Sequence, residues 1–388
     1  MFTPGLLLSL LFAVSHVTPS PVGEPSFDLD TIDKVVADAF EISNHSWELG
    51  TECEAFIELY SPSLSVFYDG AFPPPRTLDR HLIGNTTAMI DIATHVVQTK
   101  EPGTLPLIDG DGAVGDPASL GVAVLLANWT RTNESDQSFS VAAQDQLVYL
   151  LENTLRTSDG AISHRVSEVQ LWADFVYMAP PFIAYYGIFQ GGSQETALLQ
   201  EAYDQCRLYR NYLRDDSGLW KHIVLGDTAS QDFRHWGTGN AWAAAGMMRV
   251  LQTIRHSSQA WKFESQRADL TSWISEIVSA TWAHQHENGT LFNVIDDDTT
   301  FPDSSSTALL AATTYRLAAL TKDYAFVPAA QKALHLIKQN VDTDGWLHDT
   351  VDPETFFTAS PPGTFSPEGQ SFVLLLQAAW RDFTASLV

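Results

Sequence analysis

The chain has 388 residues, of which 45% are hydrophobic and 18% charged, so it is long and apolar enough to bury a sizeable core. Its 47 Asp and Glu against 21 Lys and Arg give a formal net charge of −26. Such an acidic chain repels phosphate backbones and anionic lipid surfaces, so nucleic acids and membranes are not expected as partners. No Pro-, Gly- or Ser-rich linker divides it, which favours a single domain.

The first 20 residues are predicted to be a secretory signal peptide. The segment from Leu6 to Val17 is mainly apolar but is too short to cross a bilayer. Ala13 and Ser15 then offer a small-x-small cleavage site. The remaining residues, 21–388, are expected to form one extracellular domain.

Glycosylation motifs and cysteines fit an oxidising compartment. Five Asn-x-Ser/Thr sequons are predicted glycosylation sites, at Asn44, Asn85, Asn128, Asn133 and Asn288. The two cysteines, Cys53 and Cys206, could form one disulfide there or remain two buried thiols, because a core of this size does not require a bridge.

Helical periodicity dominates the chain. Between Leu270 and Trp282 the apolar residues fall on one face at about 3.6 residues per turn, and residues 146–155 repeat the pattern. Alternation typical of strands with hairpin turns is scarce. The pattern therefore predicts an all-α protein.

A short acidic or amide turn ending in glycine recurs along the chain, at intervals of 42 to 71 residues that each accommodate two helices. Asp-Gly turns are common one at a time, but a series at this spacing predicts six helical hairpins. An open solenoid would have the same period; the absence of a polar capping repeat favours closure into an (α/α)6 toroid. The glycines are Gly70, Gly112, Gly160, Gly218, Gly289 and Gly345.

After each of the last five turns, a predicted helix starts with unusual polar and aromatic residues. In a toroid the inner helices would direct these N-termini, with their backbone donors, towards one end of the ring. The pattern therefore predicts one shared pocket, although ordinary N-capping is an alternative, above all for the fourth start. The starts are residues 116–119, 170–178, 235–242, 303–306 and 366–370.

Two aspartates are the predicted catalytic residues. Asp174 lies in an apolar and aromatic run, where burial would raise its pKa as a general acid requires; a helix cap or a salt bridge is the alternative. Asp116 precedes Pro117 and could simply cap a helix. Together they would supply the two carboxylates common in glycoside chemistry, with Glu368 in reserve.

His164, His222 and His235 lie near the predicted rim of the pocket, where hydrogen bonding to sugar hydroxyls is the favoured role. They lack metal-ligand spacing, and no zinc or calcium motif is present. The sequence also lacks a GxSxG elbow, a P-loop and a dinucleotide fingerprint. We therefore expect neither a metal nor another cofactor.

Three blocks of the chain resemble the six-hairpin glycosidases of glycoside hydrolase family 105, the unsaturated rhamnogalacturonyl hydrolases, and those of the related family 88. The secreted form with five sequons is similar to the filamentous-fungal branch. The blocks are QLWADFVYMAPPF at 170–182, WGTGNAW at 236–242 and SPEGQSF at 366–372.

The resemblance implies an (α/α)6 barrel without a metal, acting on oligosaccharides that end in a 4,5-unsaturated uronic acid. The aspartate at the Asp174 position would protonate C4 and help water to add at C5, while the one at Asp116 would contact the sugar. Family pocket positions fall on His164, Met178, Trp236 and Trp242. Further predicted substrate-binding residues are Trp172, His222, His235, Thr238, Asn240 and Glu368.

One position departs from the family pattern. Family members that bind the uronate carboxylate often carry Arg where this chain has Thr238, and Thr offers one hydroxyl instead of a bidentate guanidinium. Arg234 is a possible substitute. Conventional hydrolysis of a saturated glycoside and non-catalytic sugar binding therefore remain alternatives, and a sugar epimerase is less favoured because that chemistry usually uses paired histidines.

Overall fold

The computed structural model describes residues 27–75, 83–110 and 112–388. The predicted signal peptide and the side chain of Asn85 lie outside this description. The helices in the described part are α1 (Leu29–Ile42), α2 (Ser46–Tyr60), α3 (Ile83–Thr99), α4 (Gly121–Thr130), α5 (Ser138–Glu152), α6 (Phe175–Met178), α7 (Pro180–Gln190), α8 (Gly192–Leu213), α9 (Gly237–His256), α10 (Glu264–Trp282), α11 (Ser304–Thr321), α12 (Val327–Asn340) and α13 (Pro367–Ala385).

Inner and outer helices alternate along the chain. The inner helices α2, α4, α7, α9, α11 and α13 each pack against the next, and α13 packs back on α2, so the ring is closed. Inner helix α9 is buried on every side from Gly237 to Ile254, whereas outer helix α12 buries only one face. The predicted all-α (α/α)6 toroid is therefore confirmed, and the open solenoid is excluded.

Five of the six predicted glycine turns are confirmed in position and conformation. Gly112, Gly160, Gly218, Gly289 and Gly345 have φ between +69° and +109°, and each connects an outer helix to the following inner helix. The prediction for Gly70 was wrong. It lacks a positive φ and lies between inner α2 and outer α3, because the first hairpin turns through the short segment 43–45 instead.

Short strands occupy the same end of the ring as these turns. Strand β1 (Gln170–Trp172) pairs antiparallel with β2 (Ile223–Leu225), and Trp172 lies opposite Ile223. Strand β3 (Leu291–Phe292) pairs with β4 (Pro302–Asp303), which leads directly into α11. The paired strands connect neighbouring hairpins and hold the loops in front of the inner helices.

The structure also bears on the two cysteines and on the search for a membrane-spanning helix. Cys53 on α2 and Cys206 on α8 are free and buried, so the alternative of two thiols is the one the structure has. Among the described helices, none combines the length and the apolar character needed to cross a lipid bilayer.

Glu52 on α2 is expected to make the protein less stable as pH rises. It has no exposed surface, and burial raises its pKa from 4.5 to about 8. A group with a raised folded-state pKa contributes stability that is complete below pH 4.5 and lost as pH rises through about 8. The neutral variant Glu52→Gln should therefore be more stable than the wild type at neutral pH and less pH-dependent.

Urea unfolding at acidic and neutral pH checks this expectation. The exposed Glu264 offers a matched control, and Glu264→Gln should keep the wild-type pH dependence. An equal fall in stability with pH in the wild type and in Glu52→Gln would contradict the assignment.

Candidate active site

A cavity of about 450 Å³ opens at the end of the ring where the inner helices begin. Four of the five predicted helix starts contribute to its lining, through Asp116, Asp174, Trp236 and Glu368. The start at residues 303–306 does not reach it, because Asp303 caps α11 by accepting hydrogen bonds from the backbone N–H groups of Ser305 and Ser306. The shared pocket is thus built by four inner helix starts, and the capping alternative applies to the start at 303–306.

Asp174 lies immediately before α6 in the cavity wall. Its side chain is 13% exposed and makes no capping hydrogen bond to that helix. Burial raises its pKa, while the nearby His222 opposes the rise. The protonated carboxyl is therefore favoured at a higher pH than usual, as proton donation to a substrate requires.

Behind Asp174 lies a buried histidine held by a second aspartate. His222 has no exposed surface; its Nε2 is 3.6 Å from Asp174 Oδ2 and its Nδ1 is 3.1 Å from Asp232 Oδ2. Although burial opposes it, hydrogen bonds from His222 and Arg234 lower the pKa of Asp232 to about 2. An anionic Asp232 keeps a proton on Nδ1 and turns Nε2 towards Asp174.

The Asp232→Asn variant is expected to shift the pH dependence of turnover. The amide no longer offers His222 Nδ1 an anionic partner, so the electrostatic effect by which His222 lowers the pKa of Asp174 should weaken. The acidic form of Asp174 would then persist to higher pH, so the basic limb of the kcat profile should move upwards. Because the imidazole is also less well oriented, kcat should fall by about tenfold or more.

A second histidine–aspartate pair offers the matched control. His235 Nδ1 is 2.8 Å from Asp296 Oδ2, and neither residue lines the cavity. Asp296→Asn should leave the pH–rate profile in place. An unchanged pH–rate profile in Asp232→Asn would show that Asp232 has a structural role and does not influence Asp174.

Asp116 and His164 form the neighbouring part of the wall. Asp116 is the first residue of a short 3-10 turn before α4, and its Oδ1 lies 4.0 Å from His164 Nε2. Burial, followed by the charges of Arg165 and His222, lowers the pKa of His164 to about 3. A neutral imidazole can both donate and accept hydrogen bonds with sugar hydroxyls.

Glu368, in the first turn of α13, adds a third carboxyl to this wall. It is 2% exposed, and its Oε1 makes no hydrogen bond to any described residue. Burial, followed by the charge of Asp174, raises its pKa well above the usual range. A neutral carboxyl here can donate a hydrogen bond to a ligand.

Aromatic rings also line the cavity, and Trp172 stacks on His164 with ring centroids 4.8 Å apart. Trp172 and Trp236 each lie about edge-on to Phe356, with ring centroids 5.5 and 5.3 Å from it. Phe356 has a left-handed backbone with φ of 63°, and Asn293 donates to its carbonyl at 2.8 Å. Flat rings suit the C–H faces of a sugar, and Met178 fills the remaining gap.

Three predicted substrate-binding residues in the second block are buried behind the cavity. Thr238 has no exposed surface and donates to Asp303 at 3.2 Å. Asn240 holds both backbone polar groups of Trp220, at 2.8 and 2.9 Å. Trp242 packs between aromatic core side chains. None of the three lines this cavity, because α9 points these side chains into the barrel core, and their contact with substrate stays a prediction.

Two predicted histidines also lie outside the cavity lining. His235 bridges Asp215 and Asp296 at 2.8 Å each, so both of its ring nitrogens already have partners. His222 stands behind Asp174, and its ring also packs against the cavity-lining rings of Trp172, Trp236 and Phe356. Of the predicted contacts, those of His164, Trp172, Met178, Trp236 and Glu368 fall on the cavity wall.

Other residues in the lining were not found from the sequence. Arg165 follows His164 directly and Gln170 begins the first of the three blocks, so both were close to recognised features. The others carry no local signal of a site, whether they lie between Arg165 and Gln170 or in distant segments. They are Trp47, Ser167, Glu168, Ser230, Pro353, Glu354 and Phe356.

The expectation that no metal binds stays a prediction. Among the described residues, His45, Glu48 and Glu354 bring ligand atoms close to one another at the rim. Glu48 already accepts hydrogen bonds from the backbone N–H groups of Asn44 and His45, at 2.8 and 2.9 Å. This cluster therefore serves as the cap of α2.

Comparison with known protein families agrees with this geometry. The Glycosyl Hydrolase Family 88 model matches residues 108–378, well over half of the chain. The chain therefore belongs to glycosyl hydrolase family 88 and is a glycoside hydrolase. The resemblance inferred from the three sequence blocks is confirmed.

Individual relatives are distant. Unsaturated rhamnogalacturonyl hydrolase YesR of Bacillus subtilis (strain 168) is 23% identical over 220 residues, which cover 54% of this chain and 59% of that protein. The chain thus matches less than two thirds of the length of that relative.

Solved structures with low sequence identity to this chain support its fold and nothing further. A possible member of the GH105 family from Klebsiella pneumoniae has a TM-score of 0.73 at 16% identity, covering 98% of this chain and 100% of its own. Unsaturated glucuronyl hydrolase from Bacillus sp. GL1 has a TM-score of 0.63 at 15% identity, covering 92% and 96%.

Proposed function

We propose that this glycoside hydrolase removes a terminal 4,5-unsaturated uronyl residue from pectin-derived or related oligosaccharides. The observation that carries the proposal is Asp174, a carboxyl of raised pKa in the cavity wall, backed by the His222–Asp232 pair. The homology to unsaturated uronyl hydrolases supports the same reaction.

The chemistry follows from the vinyl ether of the unsaturated sugar. Asp174 donates its proton to C4, which leaves positive charge on C5 and the ring oxygen. Water then adds to C5 and gives up a proton, for which the Asp174 carboxylate is the base. The hemiketal formed in this way opens and releases the aglycone, so no direct displacement at the anomeric carbon is needed.

His222 and Asp232 fit this cycle as positioning residues. His222 Nε2 lies 3.6 Å from the Asp174 carboxyl, and His222 electrostatically favours the anionic Asp174 that remains after proton transfer to C4. Asp116, His164 and Glu368 offer hydrogen bonds to sugar hydroxyls, and Trp172 with Trp236 offers flat apolar contact.

The test is incubation with lyase-generated pectin fragments and with other unsaturated uronides. Hydration of the conjugated double bond abolishes its ultraviolet absorbance, so that loss is the expected result. Unchanged absorbance on every unsaturated uronide would reject the proposal. Release of reducing sugar from saturated oligosaccharides would instead favour conventional hydrolysis, and binding without turnover a sugar-binding protein.

We also propose that the protein is secreted and glycosylated. The apolar N-terminal segment and the sequons support this, and Asn44, Asn133 and Asn288 are exposed. Asn128 is a poorer acceptor because it lies within α4 with its Oδ1 buried. Mass spectrometry of protein from the culture medium, before and after glycosidase treatment, tests both statements.

A further inference from the structure

A uronate substrate brings a carboxylate into a cavity that is already acidic. Five carboxyl side chains line it, from Asp116, Glu168, Asp174, Glu354 and Glu368. Thr238, at the position where the family pattern often has an arginine, is buried and donates to Asp303, so it offers no group to this cavity. An anion therefore requires a cation elsewhere in the wall.

Arg165 is the one lysine or arginine among the residues that line the described cavity. Arg234, the substitute considered from the sequence, is not in the lining; its Nε lies 2.7 Å from Asp232 Oδ1 and its guanidinium lies 3.9 Å from the centroid of the Phe357 ring. The candidate cation is therefore Arg165, directly after His164, and not a residue in or next to the block at 236–242.

The structure holds Arg165 firmly in this position. Its backbone N–H donates to Ser163 Oγ at 3.2 Å and its carbonyl accepts from the same hydroxyl at 2.8 Å. The residue also forms a β-bridge with Ala113, and its guanidinium carbon lies 5.7 Å from the centroid of the Trp172 ring.

Gly112 leaves room for the guanidinium. A Cβ at this position would come 2.8 Å from Arg165 Nη2, so a larger residue would displace the end of the guanidinium from its observed place. The planar group lies between the Gly112 turn and the Trp172 ring. A confined guanidinium loses less side-chain freedom when it binds a carboxylate.

No other group described in the cavity wall supplies a positive charge in place of the Arg165 guanidinium. Burial raises the pKa values of Asp174 and Glu368, which favours their neutral forms. Glu354 faces His45 at 3.4 Å, and Glu168 accepts from the backbone of Asp227 at 2.6 Å. Since His164 is also neutral, the guanidinium supplies the fixed positive charge of the site.

We infer that Arg165 binds the carboxylate of the terminal uronyl residue and sets the preference of this enzyme for an acidic sugar. This inference rests on the proposed function, which supplies the uronyl substrate. Arg165 is a substrate-binding and specificity-determining residue in this assignment, and the Thr238 block has no part in recognition of the acid.

The experiment compares binding of two ligands, a saturated galacturonate-terminated oligosaccharide and its methyl ester at the terminal residue, by calorimetry. The wild type should prefer the acid. Arg165→Gln should lose about 10- to 100-fold in affinity for the acid with little change for the ester, because charged hydrogen bonds are lost for the acid alone. Arg165→Lys should retain part of the preference, since lysine keeps the charge without the fork.

Two further variants make the outcome specific. Arg207→Gln removes an equal charge from an exposed pair on α8 and should keep the wild-type preference. Loss of the preference in Arg234→Gln with its retention in Arg165→Gln would overturn the inference. Equal binding of acid and ester by the wild type would overturn it as well.

Turnover of unsaturated acid and ester separates this inference from the proposed function. On active enzyme, Arg165→Gln should raise KM for the acid more than it lowers kcat. If the wild type turns over no unsaturated uronide but its binding preference still depends on Arg165, the proposed function fails and the inference stands. If the wild type turns over unsaturated uronides and the preference for acid over ester survives in Arg165→Gln, the inference fails while the proposed function stands.

Discussion

Replacing Asp174 by asparagine is expected to reduce kcat on unsaturated uronyl oligosaccharides by about a thousandfold while the protein stays folded. The amide has the shape of the carboxyl but cannot transfer its proton to C4. Because Asp174 makes no capping bond to α6, the substitution removes no helix cap. Burial raises the pKa of Asp174, so the neutral amide should also not destabilise the fold at neutral pH.

Loss of ultraviolet absorbance under saturating substrate measures the effect, with thermal unfolding recorded on the same samples. The surface aspartate Asp298 is 81% exposed, and Asp298→Asn is the matched control with wild-type turnover expected. Retention of more than about a tenth of the wild-type kcat in Asp174→Asn would assign the proton transfer to another group.

Replacing Arg249 by methionine is expected to destabilise the protein by about 3–5 kcal/mol. Arg249, on α9, is 4% exposed and lies 2.6 Å from Glu54 Oε2 and in contact with Glu58, both on α2. Burial raises the pKa of Glu54, and the Arg249 charge opposes the rise. Without the guanidinium, Glu54 would remain buried beside Glu58 with its main counter-charge lost.

Urea unfolding at neutral pH measures this loss. Arg207→Met breaks an exposed pair with Asp204 instead, and it should cost less than about 1 kcal/mol. Adding Glu54→Gln to Arg249→Met should restore part of the stability, because the stranded charge is removed. Equal losses in Arg249→Met and Arg207→Met would mean that the buried cluster contributes no more than a surface ion pair.

Regular features of the fold could be predicted because they depend on local sequence. Glycine is favoured where φ is positive, so five acidic or amide turns ending in glycine marked the connections before the inner helices. Gly70 was mistaken for a sixth because its Asp-Gly dipeptide also occurs in an ordinary turn. Ring closure, by contrast, depends on the contact between α13 and α2, which lie at opposite ends of the chain.

The candidate site divides in the same way. Asp174 could be found because a carboxylate in an apolar run is costly to bury, whatever the fold. The family motif around Thr238 suggested substrate contact, yet the rotation of α9 turns Thr238, Asn240 and Trp242 into the core. That rotation is set by packing against neighbouring helices and not by the motif itself.

By itself, then, the sequence determined the helical hairpins, the turn positions and the aspartate that the chemistry needs. Tertiary structure decided which side chains share the cavity. Arg165, Phe356 and Trp47 line the same cavity because two separate connections and the start of α2 converge at one end of a closed ring. Such convergence arises from burial of the inner helices against one another, a property of the whole chain that no local pattern contains.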